Sequence, residues 1–333
     1  MSKAILKSYR LQFPWPTQDP FLFCAYHMDH YPPGGHNMGP EPAALLGRNL
    51  GNDFTLKEGW RMYHGRSVPG FPYHPHRGFE TVTIAEQGFC DHSDSLGASG
   101  RFGQGDVQWM TAGSGVQHSE MFPLLHKEQD NPLELFQIWL NLPKAKKLVD
   151  PHFRMLWNTK IPRYQKDGVV VKVIAGCFEG VRALESAPDS WAADSKNEVA
   201  IWLITLPRQH SFTLPKATQN VNRSLYCYKG YPKEIDGLII KEPVGLALDA
   251  SRTVVITTGA EEAHMLLLQG KPIDEPIAQH GPFVMNTYKE IDQAISDYQL
   301  TKFGGWPWPY PDQVHDREKG RFAIYPNGQL EQP

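Results

Sequence analysis

Apolar residues fall in short runs along the chain, and glycines and prolines separate these runs. The sequence holds 29 Gly and 28 Pro, which suits many strands joined by turns. This pattern predicts an all-β fold of jelly-roll or barrel type. The predicted strands with the clearest patterns lie at residues 80–85, 106–110, 133–140, 168–174, 199–206, 238–240, 253–258 and 264–268.

Two similar sets of strands flank a proline-rich, charged stretch at residues 142–163. We therefore predict two β-domains in tandem, at residues 1–145 and 146–302. The first is expected to contain a long loop at about 31–73. The residues from 303 to 333 follow no periodic pattern and are predicted to be an irregular tail whose aromatic residues pack on the body or contact a partner.

One helix is predicted near the end of the chain. Thr287 and Glu290 have the spacing of a capping box, and apolar residues follow at positions 291, 294, 295 and 298. Gly304 and Gly305 are expected to end this helix. The apolar stripe is interpreted as core packing, so the helix carries no functional prediction.

Two short dyads offer metal ligands, His74-Pro75-His76 and His118-Ser119-Glu120. In a strand, residues i and i+2 project to the same face. If the two strands lie together, three imidazoles and one carboxylate therefore converge. Such a set suits Zn, Cu, Fe and Ni. An isolated His-x-His more often lies on a surface or in a satisfied core, and the second dyad at the same spacing favours the metal site.

The sequence around the dyads resembles the pirin family. The resemblance rests on three blocks in the family's order: HPHRGFET at 74–81, GDVQWMTAGSGVQHSEM at 105–121 and EPIAQHGPFVMNT at 275–287. It implies two double-stranded β-helix (cupin) barrels with a short C-terminal helix. By position in these motifs, the N-terminal barrel would hold one iron-type metal through His74, His76, His118 and Glu120. The ligand set leaves Zn, Ni, Cu, Mn and Co open.

The second barrel is expected to hold no metal. Between about 150 and 270 there is no His-x-His and no His-x-Glu motif, and His152, His210 and His264 are isolated.

The resemblance implies a quercetin 2,3-dioxygenase-like oxidoreductase, in which a flavonol such as quercetin reacts with O2. Glu120 would then be the catalytic base that takes the substrate's hydroxyl proton. Phe79 and Trp109 have the right side chains to sandwich a flat ligand, although such residues are more often core. The main alternative is a non-catalytic, metal-dependent regulatory protein, a transcriptional or metabolic cofactor. A weaker one is another cupin chemistry, such as an isomerase on a small acid or sugar.

The charge balance of the chain limits the kinds of partner that it is expected to bind. The chain has 33 basic and 36 acidic residues and no Lys/Arg cluster, so direct nucleic-acid binding is not expected and a regulatory role would act through a protein partner. Four cysteines lie far apart, which indicates reduced, mostly buried thiols. The N-terminus lacks a long apolar stretch and no apolar run is long enough to span a membrane. We expect a cytoplasmic protein.

One segment departs from the family pattern. An early Asp-Pro-Phe block begins at Asp19, and 74 − 19 = 55 positions separate it from His74. In the family, the segment between this block and the His-Pro-His strand is usually short. Long loops in compact domains are usually functional or disordered. The segment is therefore either a lid over the pocket or an insertion packed outside the barrel. Four histidines in this region are also candidates to approach the metal: His27, His30, His36 and His64.

Overall fold

The computed structural model describes residues 4–333, whose regular structure is dominated by short strands. The first nine strands are β1 (Ile5–Arg10), β2 (Phe21–Tyr31), β3 (Gly70–His76), β4 (Phe79–Gln87), β5 (Phe89–Asp94), β6 (Ser99–Gly103), β7 (Asp106–Thr111), β8 (Val116–Met121) and β9 (Asn131–Asn141). The next nine are β10 (His152–Leu156), β11 (Arg163–Lys166), β12 (Val169–Ala175), β13 (Cys177–Phe178), β14 (Val181–Arg182), β15 (Ala200–Leu206), β16 (Ser211–Leu214), β17 (Asn222–Lys229) and β18 (Glu234–Ile235). The remaining strands are β19 (Leu238–Ile239), β20 (Val244–Leu248), β21 (Val254–Thr257), β22 (Ala263–Gly270), β23 (Ala278–His280), β24 (Phe283–Met285), β25 (Phe322–Ile324) and β26 (Leu330–Glu331).

The one α-helix of the described residues is α1 (Tyr288–Thr301). Thr287 and Glu290 form the predicted capping box, with each side chain bonded to the other residue's backbone N–H. The helix ends at Thr301, because Lys302 after it has a left-handed backbone and stops it before the predicted Gly304. Short 3-10 turns occupy Pro42–Leu45, Lys144–Lys146, Trp191–Ala193, Ser195–Asn197, Lys302–Gly304 and Arg317–Lys319.

All eight runs predicted as strands are strands, and the all-β fold is confirmed. Their boundaries differ by a few residues from the predicted ones, as is usual for element ends. The predicted free cysteines are also confirmed, with Cys24, Cys90 and Cys227 buried and Cys177 exposed. No helix among residues 4–333 is both long and apolar enough to cross a membrane.

The chain folds into two compact units, each assembled from three segments. The first unit comprises the residues up to Ala25 together with Ile138–Pro143 and Lys160–Asp274. Its main sheet has seven strands in the order β1-β20-β17-β22-β15-β12-β11, and a four-stranded sheet has the order β16-β21-β18-β19. Aliphatic residues that alternate along these strands fill its core, among them Val171, Leu225 and Leu267.

The second unit comprises Tyr26–Gln137, Lys144–Thr159 and Glu275–Pro333. Two sheets dominate it, with the orders β10-β7-β4-β9-β2 and β26-β25-β6-β5-β8-β3. Strands β2 and β9 each run from one unit into the other. Its core is rich in aromatic residues, including Trp60, Phe102, Phe153 and Trp157. Both predicted ligand dyads lie in this unit.

The units do not coincide with the predicted boundaries at 145 and 302. Strand β1 pairs with β20, opposing Ile5 to Leu248, so the first residues belong with the later strands. His152, predicted to lie in the second barrel, belongs to the unit that carries the two candidate dyads. The C-terminal tail is partly ordered as sheet, because β25 pairs with β6 and Phe322 is fully buried. Such distant strand pairing cannot be read from local patterns.

Candidate metal centre

Strand β8 lies between β3 and β5 in the six-stranded sheet. On one side, His74 of β3 directly opposes His118 of β8, so the two side chains project to the same face. His76 follows His74 at i+2 and shares that face. The pairing of the two strands thus brings the first dyad against the second, as the sequence predicted.

The nitrogens of His74, His76 and His118 form one group in which all ligand atoms lie within 4.8 Å of one another. The Nε2 atoms of His74 and His118 are 3.1 Å apart. Ligands that each lie roughly 2.0–2.1 Å from a shared ion have such separations. The spacing and the nitrogen donors fit a transition metal, and the three-histidine cluster that we predicted is confirmed.

Hydrogen bonds orient two of these imidazoles. His74 Nδ1 lies 2.9 Å from the Pro72 carbonyl oxygen, and because a carbonyl only accepts, Nδ1 carries the proton. The lone pair of His74 is therefore on Nε2, the atom that faces His118. His76 makes a hydrogen bond with the Pro282 backbone. When one ring nitrogen of a histidine binds a metal, a hydrogen bond from the other nitrogen fixes the tautomer and the orientation of the ring.

Burial keeps the three imidazoles neutral. It lowers the pKa of His74 to about 4 and holds the pKa values of His76 and His118 well below the ordinary value. Mutual repulsion among the neighbouring rings acts in the same direction. Neutral imidazole is the form that binds metals, so these three side chains would not need to lose a proton to bind one near pH 7.

Glu120, the predicted fourth ligand, lies beside the cluster and is 3% exposed. Its Oε2 is 3.7 Å from His118 Nε2. The carboxylate accepts hydrogen bonds from Thr83 Oγ1 at 2.9 Å and from Gln137 Nε2 at 2.7 Å. Burial raises the pKa of Glu120, and these two hydrogen bonds oppose the rise. The group of three histidines does not include it, and its role as a ligand stays a prediction.

Four residues around the cluster were missed by the sequence analysis. Thr83 and Gln137 hold Glu120 from strands of the other sheet. His92 of β5 opposes Glu120, and its ring lies 5.5 Å from that of His118. His92 Nε2 is 3.2 Å from Asp94 Oδ2. The pair has the same i, i+2 spacing as the two dyads, so the signal for it was present in the sequence.

The four additional histidine candidates lie outside the three-histidine group. His30 and His36 are exposed. His27 is buried, its Nδ1 lies 2.8 Å from the Tyr63 hydroxyl, and burial lowers its pKa to about 3. His64 is exposed and is near enough to His74 to lower that residue's pKa.

Phe79 and Trp109 are core residues. The Phe79 ring lies 5.1 Å from that of His76, but its exposure is 0%, and that of Trp109 is 1%. Because neither side chain offers free surface, they do not form the predicted sandwich around a flat ligand.

Comparison with known proteins finds similar sequences over most of the chain. The Pirin family model matches residues 48–140, and the model of the Pirin C-terminal cupin domain matches residues 201–304. Pirin from Rattus norvegicus is 35% identical over 253 residues, covering 73% of this chain and 80% of the relative. Pirin-1 from Arabidopsis thaliana is 37% identical over 247 residues, covering 71% of this chain and 78% of the relative.

Solved structures give the same picture of the fold. A crystal structure of quercetin 2,3-dioxygenase from Acinetobacter baumannii superposes with a TM-score of 0.71 at 27% identity. The match covers 92% of this chain and 99% of that one. The predicted pair of cupin domains is thereby confirmed.

Proposed function

The chain belongs to the pirin family, and on that basis we propose that it is a metal-dependent dioxygenase acting on a flavonol such as quercetin with O2. The convergence of three neutral imidazoles, those of buried His76 and His118 and half-buried His74, supports this proposal most directly. The likeness to a protein named quercetin 2,3-dioxygenase supports the substrate class.

The proposed cofactor is one divalent transition metal, with iron as the first choice. His74, His76 and His118 would hold it, with Glu120 as the fourth ligand. Three nitrogens and one carboxylate oxygen also suit Zn, Ni, Cu, Mn or Co, so the ligand set does not fix the metal. The bound metal would supply a Lewis acid that lowers the pKa of the substrate's hydroxyl group.

Glu120 is the proposed general base. Its buried carboxylate lies at the edge of the three-histidine group, where a hydroxyl of a bound substrate would donate its proton to Oε1 or Oε2. Burial raises the pKa of Glu120 and thus makes the carboxylate a stronger base. The hydrogen bonds from Thr83 and Gln137 fix its orientation.

The proposal is tested by metal analysis of the purified protein followed by an oxygen-electrode assay with quercetin. We expect about one metal per chain and oxygen consumption that depends on both the metal and quercetin. A fully metal-loaded protein that consumes no oxygen with quercetin would contradict the enzymatic proposal and favour the regulatory alternative.

A further inference from the structure

Phe71 lies on the metal-facing side of β3 because of a β-bulge. Residues three apart in a regular strand point to opposite faces. The register of β3 and β8 shifts between Phe71 and His74, so that Phe71 opposes Glu120 while His74 opposes His118. Phe71 and His74 therefore share a face, and their ring centroids are 6.3 Å apart.

Two rings from the long segment before β3 continue this surface. The centroids of Phe54 and His64 are 5.0 Å apart, and the His64 ring is 5.7 Å from that of Phe71. Phe54 also lies 6.4 Å from Phe71 and is 39% exposed. We call Phe54, His64 and Phe71 the aromatic wall. It runs without interruption from the ligand His74 to solvent.

The aromatic wall is fixed from behind by Tyr63. The Tyr63 ring packs 5.2 Å from Phe71, and its hydroxyl donates a 2.6 Å hydrogen bond to Asp29 Oδ2. Because the Tyr63 hydroxyl has only one proton, which Asp29 accepts, His27 Nδ1 donates its own proton to the Tyr63 hydroxyl oxygen across 2.8 Å. Tyr63 has a φ of 57°, which is rare for a bulky residue and is kept only where the surroundings enforce it.

We propose that the aromatic wall is the stacking surface for the planar rings of the substrate. This inference rests on the proposed function and adds to it the residues that select flat aromatic compounds. A ring with an oxygen substituent directed at the three-histidine group would find Phe71 beside that oxygen and Phe54 farther out. Offset or edge-to-face contacts of this kind stabilise aromatic pairs beyond the area that they bury.

The test is an anaerobic binding titration of quercetin with the metal-loaded protein, where no turnover occurs. Phe54→Ala should weaken binding about three- to tenfold, the effect of losing one stacking partner. Leu56→Ala is the matched control, because Leu56 is 54% exposed in the same segment and has no ring. It should bind quercetin as the unchanged protein does.

Acetohydroxamate separates stacking from damage to the metal centre. It chelates metals but has no ring, so Phe54→Ala should bind it with unchanged affinity. Phe71→Leu is a second variant, which keeps apolar volume without a ring and should also weaken quercetin binding selectively. Equal quercetin affinity in Phe54→Ala, Phe71→Leu and the unchanged protein would overturn the aromatic wall while leaving the proposed function intact. If the unchanged metal-loaded protein bound acetohydroxamate but no quercetin, the proposed function and the wall would both be wrong.

Discussion

Gln137 Nε2 donates a 2.7 Å hydrogen bond to Glu120 Oε2, and the two residues lie on different sheets of the same unit. Thr83, which neighbours Gln137 across β4 and β9, donates to the other carboxylate oxygen. The five-stranded sheet thus sets the orientation and acidity of a carboxylate that the six-stranded sheet carries. Burial raises the pKa of Glu120, and both hydrogen bonds favour the ionised form.

Replacing Gln137 by Met should move the pH dependence of turnover. The variant keeps a similar length but loses the donor, so the pKa of Glu120 should rise further. A base with a higher pKa ionises at higher pH, so the acid limb of the kcat/KM profile should shift up by about one pH unit, as expected for one charge-assisted hydrogen bond. Gln87→Met, at an exposed position of β4, should leave the profile in place. An unshifted limb in Gln137→Met would show that Glu120 does not control it.

Glu120→Gln tests the base directly. The new amide oxygen can still accept the hydrogen bond from Gln137, so the unit should fold and keep its histidines in place. Removing a general base typically costs 10²–10⁴-fold, so kcat for quercetin should fall by about that factor while metal remains bound. Steady-state oxygen consumption and metal content measured on the same preparation check both parts. Full turnover in this variant would refute the assignment.

His118→Ala should empty the metal site. His118 is central in the cluster, with His74 Nε2 at 3.1 Å and Glu120 Oε2 at 3.7 Å. Outer-shell partners of metal sites already contribute 10–100-fold to affinity, so loss of this ligand should weaken binding by at least about 100-fold. Metal analysis after dialysis, with circular dichroism as the check on folding, measures it. His36→Ala, at an exposed histidine, should keep its metal; equal content in both variants would contradict the site.

The shared face within each histidine dyad could be predicted because that information is local. The i, i+2 spacing of His74 and His76 fixes a shared face whatever the remaining chain does. The partners of Glu120 could not be predicted, because Thr83 and Gln137 reach it only once two sheets are packed. The position of Phe71 depends on a bulge, and a one-residue change of register reverses the face of every side chain before it.

The compact units differ from the predicted domain bounds for a related reason. Ile5 pairs with Leu248, and Phe322 pairs with Arg101. The position of a segment in the sequence therefore does not predict which sheet it joins. The long segment before β3 is partly built into the core of the unit, and its role as a lid stays a prediction. Trp60 and Tyr63 are buried in the core of the unit, whereas Phe54 and His64 border the site.

Acid should destabilise the metal-free protein through its buried histidines. The pKa of His74 is lowered to about 4, and those of His76 and His118 lie well below the ordinary value. Between about pH 4 and 6.5 the unfolded chain binds protons that the folded one does not, so the free energy of unfolding rises with pH in this window. Each such histidine contributes up to about 1.4 kcal/mol per pH unit. The raised pKa of Glu120 changes the free energy of unfolding in the opposite direction, but Glu120 is one group and the histidines are three.

Urea unfolding of the metal-free protein at several pH values from 4.5 to 6.5 measures this slope. His118→Asn should reduce the slope by up to about 1.4 kcal/mol per pH unit, since one shifted group is removed. His36→Asn, at an exposed position, should retain the full slope. Identical slopes in the two variants would mean that His118 is not held neutral by the fold.

The C-terminal segment should be essential to the stability of the unit that carries the histidines. Phe322 is fully buried and lies in β25, which pairs with β6. Nearby, Arg101 of β6 forms a buried ion pair with Asp91 and donates to the His315 carbonyl oxygen. Truncating a buried Phe usually costs about 3–5 kcal/mol, so Phe322→Ala should lower the free energy of unfolding by that amount. Leu330→Ala removes an apolar side chain that is 57% exposed and should change it by no more than about 0.5 kcal/mol. If urea unfolding gave equal values for both variants, the pairing of β25 with β6 would contribute nothing to the stability of the unit.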